Sequence, residues 1–192
     1  MTPASGPGPA SRLARRVLLV LDAVTRAMAY GSGVLFLLVS FYVAGDAVAR
    51  TFFHASTAVS DEFGGYVLAV GAMWALAHTL RVGAHVRIDI LLPHLPARVQ
   101  ILLNYTAMAG MAAFSAMVSV YTWRLALESL ATDARAMSFL RTPLFPPQAL
   151  VAIGLTTLCL QALAIIGVGL VESIQIRRLV PPEGFTPPAE PS

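Results

Sequence analysis

Few residues in this sequence have the means to hold a metal, attack a carbonyl or carry a proton. The histidines are His54, His78, His85 and His94. No two of them stand at the i, i+4 spacing by which a helix offers a pair to one metal ion. A membrane haem takes axial histidines from facing helices, whereas His78 and His85 lie on, or just past, the same apolar run. Cys159 has no histidine or charged base near it in sequence, so it reads as a small packing residue, and a single cysteine excludes an internal disulfide. Ser40, Ser115 and Ser119 sit inside apolar runs without His and Asp placed for a hydrolytic triad. Their expected role is hydrogen bonding to their own helix backbone. No phosphate-cradling loop is visible. These residues point away from an enzyme, and no cofactor or metal is expected.

Charged and polar residues inside apolar runs are the next candidates, because they mark ion paths by default. Asp46 lies near one end of the first run, with Arg50 four residues on, and is expected to make a structural pair. Glu62 stands at the start of the second run, where a carboxylate favours a helix N-terminus. Thr156, Thr157 and Gln161 form the polar group near the middle of the fourth run and are expected to bond a neighbouring helix. The densest cluster is Gly83 to Arg98, "GAHVRIDILLPHLPAR", set between two greasy segments.

The elements that must position these residues follow from composition. Of 192 residues, 57% are hydrophobic and 12% charged, too few charges to clothe a soluble core of this size. A lipid-facing chain is implied. A span needs about 20 apolar residues, and four runs meet it, at about 27–49, 63–80, 99–123 and 148–171. They are too long, and alternate too little, for barrel strands. The expected fold is therefore an all-α integral membrane protein of four transmembrane helices, with one membrane domain over 11–178. The Pro/Gly/Ala-rich stretch 1–10 and the tail 179–192 are expected to be disordered.

Arginine sets the direction. With the N-terminus inside, the inner segments hold Arg12, Arg15, Arg16, Arg26, Arg81, Arg87, Arg98, Arg177 and Arg178, nine in all. The outer segments hold four: Arg50, Arg124, Arg135 and Arg141. The bias places both termini in the cytoplasm. Within 11–26, Leu13, Val17, Val20, Leu21 and Val24 recur at helical spacing opposite the arginines, which predicts an amphipathic helix on the inner membrane surface. A cleaved signal peptide fits less well, since its apolar core would be only "VLLVL". No basic patch interleaved with aromatics suggests nucleic acid. The outer segment from Arg124 to Phe145 offers Leu127, Leu130, Ala134 and Met137 to one face of a helical extension, which suits either lipid or a docking protein.

Small residues form surfaces for close helix approach: Ala109, Gly110, Ala113 and Ala116 on the third run, Gly71, Ala75 and Thr79 on the second, Gly31 and Gly33 on the first. Packing within the chain and packing against a partner both fit. The spans lack internal proline and show no inverted repeat, so the broken helices of an alternating-access transporter are missing. The physical reading is a compact helical membrane protein serving a larger complex.

The segment "DEFGGYVLAVGAMWALAHTLRVGAHVRIDILLPHLPARVQ" resembles the small membrane subunit of tripartite ATP-independent periplasmic (TRAP) transporters, the DctQ-like family. Glu62, Trp74, Arg81, Gly83, His85, Arg87, Asp89, Pro96 and Arg98 carry the likeness, which extends loosely over residues 20 to 175 and includes "PLFPPQALVAIG". Gly64-Gly65 departs from the bulkier residues common there. The resemblance implies a bacterial inner-membrane chain that braces a large elevator-type permease (DctM-like). It would also help receive a periplasmic binding protein (DctP-like) during sodium-coupled uptake of an organic acid. The rival classes are a self-sufficient dimeric four-helix exporter, for which Asp46 lies too near the membrane edge, and a haem or quinone enzyme subunit, which lacks ligands.

Two expectations follow. Arg124, Glu128, Asp133, Arg135 and Arg141 would form a charged rim that meets the binding protein. Asp89 would accept hydrogen bonds from His85, Arg87 or backbone N–H groups and lock the turn between spans two and three, with direct ion binding the rival role, disfavoured because a lone carboxylate makes a weak cation site. Beside it, Ile88, Leu91, Leu92 and Leu95 would seat a short interfacial helix, while Arg81, Arg87 and Arg98 reach lipid headgroups.

Overall fold

The computed structural model describes residues 9–53, 59–83, 95–138 and 140–176. Four helices make up the fold: α1 (Pro9–Phe53), α2 (Ser60–Val82), α3 (Ala97–Ala131) and α4 (Phe145–Ile176). Each is long and apolar enough to cross a membrane. Among the described residues there is no strand, and the one extended pairing is an isolated bridge between Arg135 and Pro143. The chain is a multi-pass helical membrane protein.

The helices overrun the apolar runs. At about 1.5 Å per residue, the 45 residues of α1 reach about 68 Å, against about 30 Å of hydrocarbon. Residues 11–26, expected as a separate helix on the membrane surface, are continuous with the first span in one helix. Nothing between them breaks it: there is no proline, and the glycines at 31, 33 and 45 weaken a helix without ending it. Leu18 and Thr25 of this stretch are buried against the bundle. Likewise, Arg124 and Glu128 lie on the last turns of α3 rather than in a loop. The helix ends at Ala131, so Leu127 and Leu130 belong to it but Ala134 and Met137 do not form its continuation.

The ends are built from local chemistry. Gly83 closes α2 in the left-handed region (φ 72°), with its N–H toward the carbonyls of Leu80 and Thr79. A side chain at that φ would crowd its own backbone, which makes glycine the natural residue there. Pro96 precedes α3 in extended geometry. Pro146 and Pro147 sit in the first turn of α4, where a missing N–H breaks no intrahelical bond.

Helix α4 is the hub. It packs against α1, α2 and α3; α1 also packs on α2, while α3 has a substantial interface with α4 alone. The core joins Leu18, Ala77 and Leu80 to Met108 and Ala112 through Leu158, Ala162, Ile165 and Val168 of α4. Glycine permits the closest approaches. A Cβ on Gly71 would fall 2.6 Å from the Phe36 ring, and one on Gly154 would fall 2.9 Å from the Trp74 indole and 3.0 Å from Met73. Outward, α1 exposes Leu37, Leu38 and Phe41 and α3 exposes Phe114, Met117 and Val120, as lipid or a partner helix requires.

Candidate functional site

The polar side chains gather at the two ends of the bundle. At the end where α1 finishes and α2 begins, Asp46 is buried and its Oδ2 accepts from Arg50 at 2.8 Å and from Ser60 Oγ at 2.7 Å. Sequence spacing foretold the Arg50 pair. Ser60 adds a bond from α2 to α1, so the one acid of the first span serves as a tie between helices.

Two residues further along α2, Glu62 does more than favour a helix N-terminus. Its Oε1 accepts from the Tyr66 hydroxyl at 2.9 Å and from the hydroxyl of Thr142, which lies beyond α3 in sequence. The Tyr66 and Thr142 hydroxyls are 3.2 Å apart. Ser138 lies beside the same carboxylate, yet Glu62 Oε2 and Ser138 Oγ are both buried without a well-formed hydrogen bond. Residues 132–138 and 140–144 fold back toward α2 and close on each other through Ala136 N–H to Thr142 O (2.9 Å) and Leu144 N–H to Ala134 O (3.1 Å).

The expected docking residues are all on the surface. Arg124, Glu128, Asp133, Arg135 and Arg141 are exposed. Arg124 lies over the Tyr121 ring, 5.8 Å from its centre, and Arg135 reaches both oxygens of Asp133. Met137 stands fully in the open among them.

At the opposite end, Arg81 faces Asp22 of α1 at 3.5 Å, and Asp22 also takes Arg26 at 3.5 Å. Arg81, expected at lipid headgroups, makes an ion pair between α1 and α2. Arg15 reaches Glu172 of α4 at 2.6 Å. Arg98 is exposed, and nearby Gln100 donates to the Leu95 carbonyl at 2.9 Å. His85, Arg87 and Asp89, with His54, His94 and the proposed turn lock, lie outside the described residues.

Between the two ends, Trp74 donates its indole N–H to the Leu150 carbonyl at 2.9 Å, across the gap that Gly154 leaves. Thr156 bonds Ser119 at 2.8 Å and Trp123 at 3.0 Å, tying α3 to α4. Ser119 was expected to bond its own helix; Ser115 does so, to the carbonyls of Met111 and Ala112. Thr157 bonds the Ile153 carbonyl of its own helix. Gln161 is wholly buried and neither of its amide atoms has a partner.

Sequence reasoning passed over Asp22, Ser60, Tyr66, Thr142 and Glu172. A signal existed for Asp22, an acid set among four arginines of the first 26 residues. None existed for Thr142, whose importance depends on the loop's path.

The small-residue surfaces divide. Gly71 packs inside the chain, whereas Ala109, Gly110 and Ala113 of α3 are exposed, and nothing in the chain lies within 4 Å of a Cβ at Gly110. The Gly64-Gly65 departure has no tight neighbour: Val43 lies 3.9 Å from a Cβ at Gly64, and nothing lies within 4 Å of one at Gly65.

Residues 39–170 match the family described as tripartite ATP-independent periplasmic transporters, DctQ component. No curated protein and no solved structure matches the chain.

Proposed function

Because the chain belongs to the DctQ family, and so is a small membrane subunit of a TRAP transporter, we propose that it braces a large elevator-type permease and helps a periplasmic binding protein dock during sodium-coupled uptake of an organic acid. It sits in the bacterial inner membrane with both termini in the cytoplasm and contributes no active site of its own. Wet chemistry and substrate choice belong to the other two components.

One observation carries the bracing role. The α3 surface of Ala109, Gly110 and Ala113 is exposed and unused inside the chain. Small residues let helix backbones approach closely, and in lipid such contact does the work that water drives elsewhere. A surface of this kind, on a helix with one substantial internal neighbour, suits a helix of the large subunit. The docking role rests on the exposed rim of Arg124, Glu128, Asp133, Arg135 and Arg141, since exposed charges set encounter more than final affinity.

The test is Gly110→Leu and Ala113→Leu, scored by co-purification with the large subunit. Bulk at those positions should abolish co-purification while leaving this chain in the membrane fraction. Retained co-purification in both variants would assign that face to lipid and remove the support for bracing through α3. Reconstituted alone in liposomes, the chain should move no organic acid in a sodium gradient.

A further inference from the structure

The segment 132–144 contains no glycine, yet two of its residues hold left-handed backbone: Asp133 at φ 46° and Arg141 at φ 48°. Residues with a Cβ persist in that region when their surroundings hold them there. Within the segment, two backbone hydrogen bonds close the fold, one joining Ala136 to Thr142 and the other Leu144 to Ala134. Thr142 stands directly after strained Arg141, and its hydroxyl reaches Glu62 and Tyr66 on α2. Ser138, on the inner side of the same loop, is half-buried beside the Glu62 carboxylate, with its Oγ out of contact with solvent. The outward side carries Arg135, fully exposed Met137 and Arg141. Thus one carboxylate on α2 meets both polar residues that the loop turns inward.

We propose that Glu62 is the positioning residue of this loop: from α2 it fixes residues 132–144 in the shape that turns Arg135, Met137 and Arg141 toward a soluble partner. The partner half of this statement rests on the docking role proposed above. Loops of this length have many shapes, and a docking surface must lose that freedom before contact or during it. Glu62 takes the loss beforehand. It acts from within the membrane-spanning helix, so the loop is referenced to the bundle and not merely to the ends of α3 and α4.

The test uses the full chain in lipid nanodiscs, with amide hydrogen exchange at Ala136 and Leu144 as the readout. Glu62→Ala and Thr142→Val should speed exchange at those amides by about tenfold or more and leave the α4 interior from Leu155 to Ile165 unchanged. Glu62→Gln keeps an acceptor for both hydroxyls and should exchange like the unaltered chain. Unchanged protection in both Glu62→Ala and Thr142→Val would overturn the proposal. So would equal loss across α2 and α4, which would assign Glu62 to the bundle. A second measurement separates this from the docking role: uptake by the complete transporter at graded concentrations of binding protein. Glu62→Ala should raise the half-saturating concentration and keep the maximal rate. A loosened loop with an unmoved half-saturating concentration would support the positioning role and overturn docking through this loop.

Discussion

At position 154 a hydrogen stands where any other residue would place a carbon, and Trp74 and Met73 occupy the space. A Cβ there would lie 2.9 Å from the indole, 3.0 Å from Met73 Cβ and 3.1 Å from the Met73 backbone. Those are not loose chain ends that swing aside, so α2 and α4 must part. Gly154→Ala gains up to about 1 kcal/mol of helix propensity and should still lose stability overall, by about 1–2 kcal/mol, through overpacking. Gly167→Ala is the control, because nothing lies within 4 Å of its Cβ. It should be neutral or stabilising, as read from thermal unfolding in one detergent; equal effects at the two sites would refute the packing account. Gln161 argues the other way. Its amide is wholly buried and unpartnered, which costs about 1–3 kcal/mol for such a group. Gln161→Met, similar in volume and free of the amide, should raise the unfolding midpoint. A fall would reveal a polar partner such as an ordered water.

At the scale of elements, the four spans were readable because lipid demands long apolar runs and little else supplies them. Their true ends were not. Composition stops counting at the first polar residues, but Arg124 and Glu128 continue α3 for two further turns, since a helix leaving the membrane needs no apolar face to persist. The ties between helices were less legible still. Trp74 was noticed as part of a motif, but its partner carbonyl at Leu150 is 76 residues away, and no spacing rule reaches that far. The pair of Arg81 with Asp22 has no such signal, because Asp22 lies on a helix that the sequence does not place beside it. That pair tests the α1–α2 interface. Asp22→Arg should weaken the fold by setting like charges beside Arg26 and Arg81, and Asp22→Arg with Arg81→Asp should recover part of the loss. The coupling expected for a partly exposed pair at this distance is about 0.2–1 kcal/mol. Strictly additive effects in a double-mutant cycle would show that the two charges do not sense each other.

For the molecule as a whole, the arginine split of nine to four predicts that both termini face inward. A reporter fused after Ser192 should be active only in the cytoplasm, and one inserted between 128 and 140 only outside; a periplasmic C-terminus would reverse every assignment of inner and outer face. The candidate docking set was legible as a list of exposed charges, but its support was not. Glu62 and Thr142 are 80 residues apart, and neither announces the other.

Order of manufacture gives the architecture a further meaning. A ribosome delivers α1 first and α4 last, and α4 is the helix that every other one needs. The α1–α2 hairpin can pair as soon as it enters the bilayer. Helix α3, whose substantial neighbour is α4 alone, must wait in lipid until α4 has been made. A chain cut short before residue 145 therefore leaves a stranded helix, with its Trp123 without the Thr156 hydroxyl it bonds, as a natural target for quality control.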